Sequence, residues 1–392
     1  MQFDFDTIYD RRNTGSLKYD LAPKYGLPED VLPMWVADMD FRSPECVVEA
    51  IIERARHGIF GYSEAPRGYF EALEKWYKER HGWQIQPSWL VKASGVVYAL
   101  AQAVRALTEE GDAVLIQEPV YYPFRQVVEQ NGRRPVVSGL VYDNGAYRVD
   151  FDDFERKIRE NDVRLFILCS PHNPVGRVWT REELERMGDI CLKYDVKVAS
   201  DEIHADFVYP GYKHTVFAAV KPEFEQNSVI LTAPTKTFNL AGLHISNIFI
   251  PNPVLREKYQ KETAKSGMSQ LGIMGMVACK AAYEGGGAWL DALMEYLTGN
   301  LAYMRDFLRA RLPELKLVEP EGTYLVWVDF RALGMSAEEL ERFIKHEARL
   351  WLDGGTMFGA AGAGFQRFNI ACPRAVLQEA MERLEKAVRS RT

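Results

Sequence analysis

Over residues 45–285, short apolar runs alternate with longer segments whose apolar residues recur at helical spacing. Pro44 and Pro66 each open such a helical pattern, and a third extends from Val96 to Leu107. Strands separated by helices predict an α/β fold with a mostly parallel sheet flanked by helices, and functional residues at the carboxyl ends of its strands. Runs of strand length lie at 113–116, 165–169, 196–199, 229–231 and 245–250.

The pattern changes after Gly287. A long helical stretch leads to a strand-like segment at 324–328, and the last helical pattern extends from about Arg374 to the C-terminus. Residues 1–44 contain too little helical or strand pattern to fold alone. We therefore predict a large domain at 45–287 and a smaller α+β domain, built from 1–44 and 288–392, as the length of 392 residues permits.

The composition excludes several classes of partner. A formal net charge of -7 leaves no excess of Lys and Arg to neutralise phosphates, so we expect no nucleic acid and no membrane partner. No apolar run approaches the ~20 residues that span a bilayer, and no signal peptide is evident. The five cysteines have no C-x-x-C spacing, which fits a reducing cytoplasm and predicts no metal site.

Lys236 is the first candidate for chemistry, in a Thr-Lys-Thr sequence after the strand predicted at 229–231. A lysine amine becomes a nucleophile toward carbonyls only where its surroundings lower its pKa. Taken alone, a lysine in such a loop is most often an ordinary surface residue.

Asp201 follows the strand predicted at 196–199 and is the second candidate. A buried carboxylate without a partner costs several kcal/mol, so an Asp here requires a cationic group. A protonated pyridine nitrogen would satisfy it, and the carboxylate would keep that nitrogen protonated. The alternative is a helix N-cap or an ordinary loop acid.

Two further segments are weaker signals. Asn173 stands in an Asn-Pro turn after the strand at 165–169, where it is either a simple turn residue or an amide donor to a cofactor oxygen. Ser94 and Gly95 precede the helix that begins at Val96. The free N–H groups of a helix N-terminus bind phosphate, although this Ser-Gly could equally be a plain cap.

The order of these residues resembles that of the fold-type I pyridoxal-phosphate enzymes, the aspartate-aminotransferase superfamily, over essentially the whole chain. The order is Ser-Gly, an aromatic residue after Pro119, Asn-Pro-x-Gly, Asp, Lys and an Arg near the C-terminus. The segments 5–12, 32–41, 236–243 and 371–374 resemble the cystathionine β-lyase branch, which includes the maltose-regulon modulator.

The resemblance implies pyridoxal 5′-phosphate as the cofactor and a role for each matched residue. Lys236 and Tyr121 are implied as catalytic, with Tyr121 stacked on the cofactor ring. The implied substrate-binding residues are Val36, Ala37, Asn173 and Arg367, with Arg367 gripping a carboxylate. The implied cofactor-binding residues are Ser94, Gly95, Val96, Val97, Tyr121, Asn173, Asp201, His204, Thr235, Lys236 and, across a dimer interface, Tyr62.

Several of these residues also have structural alternatives. Tyr121 could be a core or interface tyrosine, Arg367 a surface arginine and His204 a structural histidine. Two positions depart from the aminotransferase pattern, since many relatives have an Arg where this chain has His244 and a Ser or Thr where it has Ala233. Phosphate binding must then rest more on backbone amides, which suits the lyase branch.

The expected function is a carbon–sulfur β-lyase that acts on L-cystathionine or cysteine S-conjugates and releases thiol, pyruvate and ammonia. An aminotransferase that uses a 2-oxo acid is the alternative, because both reactions begin with the same loss of a proton. A regulatory protein that binds a transcription activator is the alternative from another class. The expected ligand is a small amino acid, and the resemblance implies a homodimer.

Overall fold

The computed structural model describes residues 3–268 and 270–391. Residues 1, 2 and 392 of the predicted small domain, and residue 269 of the large one, lie outside the described residues. The strands are β1 (Leu32–Pro33), β2 (Leu90–Ala93), β3 (Ala113–Ile116), β4 (Arg134–Val137), β5 (Val141–Asp143), β6 (Ala146–Arg148), β7 (Val163–Cys169), β8 (Lys197–Asp201), β9 (Ser228–Thr232), β10 (Ser246–Phe249), β11 (Lys316–Leu317), β12 (Leu325–Asp329), β13 (Leu350–Trp351), β14 (Asp353–Gly354) and β15 (Phe365–Asn369).

The helices flank these strands along the whole chain. They are α1 (Leu17–Asp20), α2 (Glu45–His57), α3 (Tyr69–His81), α4 (Val96–Leu107), α5 (Pro123–Gln130), α6 (Phe151–Asn161), α7 (Arg181–Lys193), α8 (Pro222–Gln226), α9 (Pro234–Thr237), α10 (Pro253–Lys265), α11 (Ile273–Gly285), α12 (Gly287–Arg311), α13 (Ala337–Arg342) and α14 (Arg374–Arg389). The last helix ends at Arg389, so the prediction that it extends to the C-terminus was wrong. None of the described helices is both long and apolar enough to cross a bilayer.

Seven strands form the central sheet in the order β2-β10-β9-β8-β7-β3-β4. Among them β10 alone runs antiparallel to its neighbours, β2 and β9. The α/β fold with a mostly parallel sheet is therefore confirmed. The carboxyl ends of β2, β3, β7, β8 and β9 meet at one edge of this sheet.

Both faces of the central sheet are covered by helices. Successive residues of a strand point to opposite faces, so neighbouring residues pack into different cores. On β3, Val114 and Ile116 pack with α4, α5 and α10, whereas Leu115 faces the opposite core. Phe166 and Leu168 of β7 join that second core, which also contains α6 and α7 and continues into the smaller sheet. The sheet edge is thus supported from both sides.

The smaller sheet is antiparallel, in the order β11-β12-β15-β14. The N-terminal segment reaches this part of the molecule through β1, which pairs in parallel with β13. This pairing agrees with the expectation that the N-terminal residues pack with the C-terminal part. The boundaries at 45 and 287 stay a prediction.

Candidate active site

A cavity of about 340 Å³ opens at the carboxyl edge of the central sheet. The loops after β2, β3, β7, β8 and β9 form its wall, as expected for an α/β sheet of this topology. The predicted site residues that line it are Ala37, Ser94, Gly95, Val96, Val97, Tyr121, Asn173, Asp201, His204, Thr235 and Lys236.

Lys236 lies on α9, a single helical turn that begins with Pro234 directly after β9. Its side chain is partly buried, and Nζ donates a hydrogen bond of 2.6 Å to the Ala37 carbonyl. Desolvation lowers the pKa of Lys236 to about 8, and the charges of Asp38 and, more weakly, Asp201 oppose this shift. A lysine amine in such surroundings is available as a nucleophile and a base near neutral pH.

Asp201 ends β8 and is buried, with 6% of its surface exposed. Its Oδ1 accepts a hydrogen bond of 3.1 Å from the Ile203 backbone N–H. Burial raises the pKa of Asp201 to about 7, against this hydrogen bond and the charge of Lys236. Among the described residues no cation forms an ion pair with Asp201, whose carboxyl group lines the cavity.

His204 and Asn173 complete the polar wall between these two residues. The Nδ1 atom of His204 is buried without a hydrogen-bond partner in the described part of the chain. Desolvation, with Lys236 and Arg367 in the same sense, lowers the pKa of His204 to about 3, so the imidazole is neutral. The Asn173 side-chain oxygen accepts from Arg367 at 3.0 Å, and its backbone carbonyl accepts from Tyr121 N–H at 3.0 Å.

The N-terminus of α4 faces the same cavity. Gly95 caps this helix, and the first residues, Val96 and Val97, line the wall together with Ser94. The backbone N–H groups of a first helical turn have no partner within the helix. This end of the cavity is therefore suited to an anion.

Arg367 of β15 lies behind Asn173 rather than on the cavity wall and is 2% exposed. Its Nη2 group donates to the Trp35 carbonyl at 2.8 Å and to Asp353 Oδ2. The guanidinium stands over the ring of Phe358, with 4.9 Å to the centroid. This burial excludes the alternative that Arg367 is a surface arginine.

Val36 and Tyr62 are the remaining predicted site residues outside the cavity wall. The Val36 carbonyl accepts from Asn369 Nδ2 at 2.6 Å, which holds the segment next to Arg367. Tyr62 is 97% exposed on the single chain. Its predicted contact with a phosphate across a dimer interface stays a prediction.

Sequence reasoning missed five residues of the cavity wall or left them without a role. Ile203 and Tyr98 follow Asp201 and Val97 closely, so their position in a loop or first helical turn could have indicated them. His244 is indicated in the sequence only as the residue at the position of the usual arginine. The residues of this group are Tyr98, Cys169, Ile203, Ala241 and His244.

Two acids with largely covered side chains that support the site were also missed. Asp353 pairs with Arg367 and is 4% exposed. Asp206 accepts hydrogen bonds from Thr237 Oγ1 at 2.7 Å and from His81 Nε2 at 3.0 Å. Thr237 directly follows Lys236 in the chain. Asp353 directly follows the apolar run Leu350-Trp351-Leu352, and an acid in such a position indicates a buried charge that needs a partner.

The comparisons with known proteins agree with this geometry. The family model "Aminotransferase class I and II" matches residues 29–384. Cystathionine beta-lyase PatB of Bacillus subtilis is 43% identical over 98% of this chain and 100% of its own length. Protein MalY of Escherichia coli is 33% identical over 99% of both chains.

A solved structure gives the same result for the fold. Cystalysin from Treponema denticola, which contains a pyridoxal 5′-phosphate cofactor, superposes with a TM-score of 0.97 at 39% identity over 100% of both chains. The expected family is confirmed by these matches. The chain belongs to the aminotransferase class I and II family, in the branch that includes the cystathionine β-lyases.

Proposed function

We propose that this protein is a pyridoxal-phosphate-dependent carbon–sulfur β-lyase that acts on L-cystathionine or cysteine S-conjugates. The observation that carries the proposal is that one cavity contains both Lys236, with its pKa lowered to about 8, and Asp201, a buried acid without an ion-pair partner. The relative PatB, named as a cystathionine β-lyase, supports the choice of reaction and substrate.

The residues present fit pyridoxal 5′-phosphate. Asp201 is a buried carboxylate without a counter-ion, and a protonated pyridine nitrogen would supply one. The unpartnered N–H groups at the start of α4, beside Ser94 and Gly95, would hold the phosphate. Tyr121 offers an aromatic face to the ring, and Asn173 and His204 offer polar atoms at its edge.

The phosphate end of this site differs from the arginine-containing pattern of many aminotransferases. His244 lines the cavity at the position of that arginine, and Thr235 adds a hydroxyl group. We infer that backbone amides carry most of the phosphate binding, with Tyr62 of a second copy as a further donor. This assignment requires the protein to work as a homodimer.

Lys236 is the proposed base and acid of the reaction. Its Nζ atom would take the proton from Cα of the substrate, since its lowered pKa leaves part of the amine neutral near pH 8. When bound, the cofactor acts as an electron sink for the negative charge left at Cα, which lets a thiol leave from Cβ. The Ala37 carbonyl, 2.6 Å from Nζ, positions the lysine.

Arg367 is the proposed ligand of the substrate carboxylate. A guanidinium binds a carboxylate through two parallel hydrogen bonds, which fixes the orientation of Cα as well as the affinity. Asn173 contacts Arg367 at 3.0 Å and lines the cavity, so it links the two parts of the site. The Val36 and Ala37 backbone would lie beside the same carboxylate.

The substrate assay tests the proposal directly. Purified protein loaded with pyridoxal 5′-phosphate is incubated with L-cystathionine, and pyruvate and thiol are followed without any added 2-oxo acid. We expect both products in equal amounts, and neither from the Lys236→Ala protein. Amino transfer to 2-oxoglutarate without pyruvate would instead establish the aminotransferase alternative.

We also infer that the protein works in the cytoplasm. All five cysteines are free thiols, and Cys169, Cys191, Cys279 and Cys372 are buried. Free buried thiols are typical of proteins from reducing compartments. Fractionation of cells that express the tagged chain, with lyase activity as the readout, tests this location.

A further inference from the structure

Asp353 lies directly opposite Arg367 in the small antiparallel sheet, on β14 and β15. The two buried side chains form an ion pair through Arg367 Nη2. The same nitrogen also donates to the Trp35 carbonyl at 2.8 Å, and Nη1 donates to Asn173 at 3.0 Å. The Nε–H group of Arg367 is buried and has no partner in the described part of the chain.

These contacts occupy the positions that a substrate carboxylate needs. An arginine binds a carboxylate through two neighbouring N–H groups, either Nε with Nη2 or Nη1 with Nη2. Both arrangements use a hydrogen of Nη2, and Nη2 already has an acceptor for each of its two hydrogens. A carboxylate can therefore form both bonds to Arg367 only by displacing one of these acceptors.

The Trp35 carbonyl is the less mobile of the two acceptors. Its segment is held by Asn369, whose Nδ2 donates to the carbonyls of Val36 and Asp38, both at 2.6 Å. The Asp353 carboxylate belongs to a side chain that rotates about single bonds, and it is the same chemical group as the incoming ligand. Asp353 is therefore the acceptor that gives way.

We propose that Asp353 occupies the carboxylate site of Arg367 until substrate binds, and takes up a proton when the substrate carboxylate displaces it. This inference rests on the proposed function, because it takes Arg367 as the ligand of the substrate carboxylate. Two carboxylates beside one buried guanidinium would leave a negative charge uncompensated, and protonation of Asp353 removes that charge. Asp353 is thus a specificity-determining residue that weakens carboxylate binding as the pH rises.

The surroundings of Asp353 favour this proton uptake. Burial raises the pKa of Asp353 and Glu341 adds to the rise, whereas Arg367 and Lys345 oppose it. When the substrate carboxylate takes over Arg367, the largest opposing charge is lost. The charged and titratable groups that face Asp353 are Arg367 on β15, Glu341 on α13, Lys345 after α13, and Tyr121 and Tyr122 after β3.

Propionate is a suitable probe, because it has a carboxylate but no amine that titrates or reacts with the cofactor. Its dissociation constant is measured from the cofactor absorption of the holoenzyme between pH 6 and pH 9, with propionamide as the uncharged control. We expect propionate binding to the natural protein to weaken with rising pH, while propionamide binding changes little. At pH 8 the Asp353→Asn holoenzyme should bind propionate about tenfold more tightly, with less pH dependence.

Asp329→Asn is the matched control variant. Asp329 is a buried acid of the same sheet and pairs with Arg331 at 2.7 Å, away from Arg367. Its replacement should leave the propionate dissociation constant and its pH dependence unchanged. An equal tightening in this variant would show a general effect of charge and overturn the inference.

The results separate this inference from the proposed function. Loss of propionate binding in Arg367→Gln supports Arg367 as the carboxylate ligand, and unchanged binding would refute that role. If Arg367→Gln loses binding but Asp353→Asn binds propionate equally or more weakly, only the inference about Asp353 fails. Should Asp353→Asn not fold, the natural protein still decides, because pH-independent propionate binding would contradict the proposal.

Discussion

The two buried acids at the site, Asp201 and Asp353, differ in how their charge is compensated. Asp201 is the last residue of β8 and Asp353 the first of β14, and their exposed fractions are 6% and 4%. Asp353 has Arg367 as a partner across the small sheet, whereas Asp201 at the edge of the central sheet has only a backbone N–H donor. The central sheet thus leaves a charge for a bound cofactor to compensate, while the small sheet supplies its own counter-charge.

The removal of the Lys236 amine should have the largest effect on the central-sheet part of the site. We expect Lys236→Ala to lower kcat for L-cystathionine by more than the ~10²–10⁴-fold that general acid–base catalysis contributes, because Lys236 is also the proposed covalent ligand of the cofactor. Pyruvate formation under saturating substrate measures the loss. Lys221→Ala is the control, because Lys221 does not line the cavity and pairs with Asp189 at the surface, and it should retain full activity.

Asp201→Asn should have the next largest effect, because it removes the counter-charge that the cofactor would use. We expect a loss of about 10²–10³-fold in kcat/KM, as for the removal of one partner of a buried ion pair. Cofactor retention during gel filtration should also fall. Asp353→Asn should retain the cofactor. Equal cofactor loss in both variants would show that Asp201 has no special role in binding the cofactor.

Arg367→Lys should change substrate binding more than chemistry. A lysine cannot form the two parallel hydrogen bonds of the guanidinium, which costs about 1.5–3 kcal/mol for a bond to a charged group, or about 10–100-fold in KM. Steady-state kinetics with L-cystathionine measure this value. A loss confined to kcat would contradict a role for Arg367 in carboxylate binding.

The smallest expected effects are on the stability of the cofactor-free protein, which depends on how the charge of each acid is compensated. The pKa of Asp201 is raised from 3.8 to about 7, so the folded state binds a proton that the unfolded chain lacks between these values. The contribution of Asp201 to stability therefore falls as the pH rises from about 4 to about 7. The pKa of Lys236 is lowered from 10.5 to about 8, so its contribution rises as the pH increases through that window.

Urea unfolding of cofactor-free variants measures these contributions. At pH 8 we expect Asp201→Asn to be more stable than the natural protein, and this difference should disappear below about pH 4. Asp353→Asn should be less stable than Asp201→Asn at pH 8, because ionised Asp353 offsets the buried charge of Arg367, whereas ionised Asp201 has no ion-pair partner. Equal stability of the two variants would show that the two acids are compensated alike.

Much of the fold and the cavity wall could be predicted from the sequence. The apolar runs predicted five of the seven strands of the central sheet but not β2 and β4. Because parallel strands end at one edge, Asn173, Asp201 and Lys236 had to lie close together. Contacts between distant segments could not be derived from local patterns. The pairing of Asp353 with Arg367 depends on the register of two antiparallel strands, and the burial of Asp206 depends on packing around α9.

The proposal that Lys236 binds the cofactor covalently can be tested by chemical labelling. The holoenzyme is reduced with borohydride, digested, and the modified peptide is identified by mass spectrometry. We expect a single cofactor-modified peptide that contains Lys236, and none from the Lys236→Ala protein. Modification of another lysine, or none in a protein that cleaves L-cystathionine, would refute the assignment of Lys236.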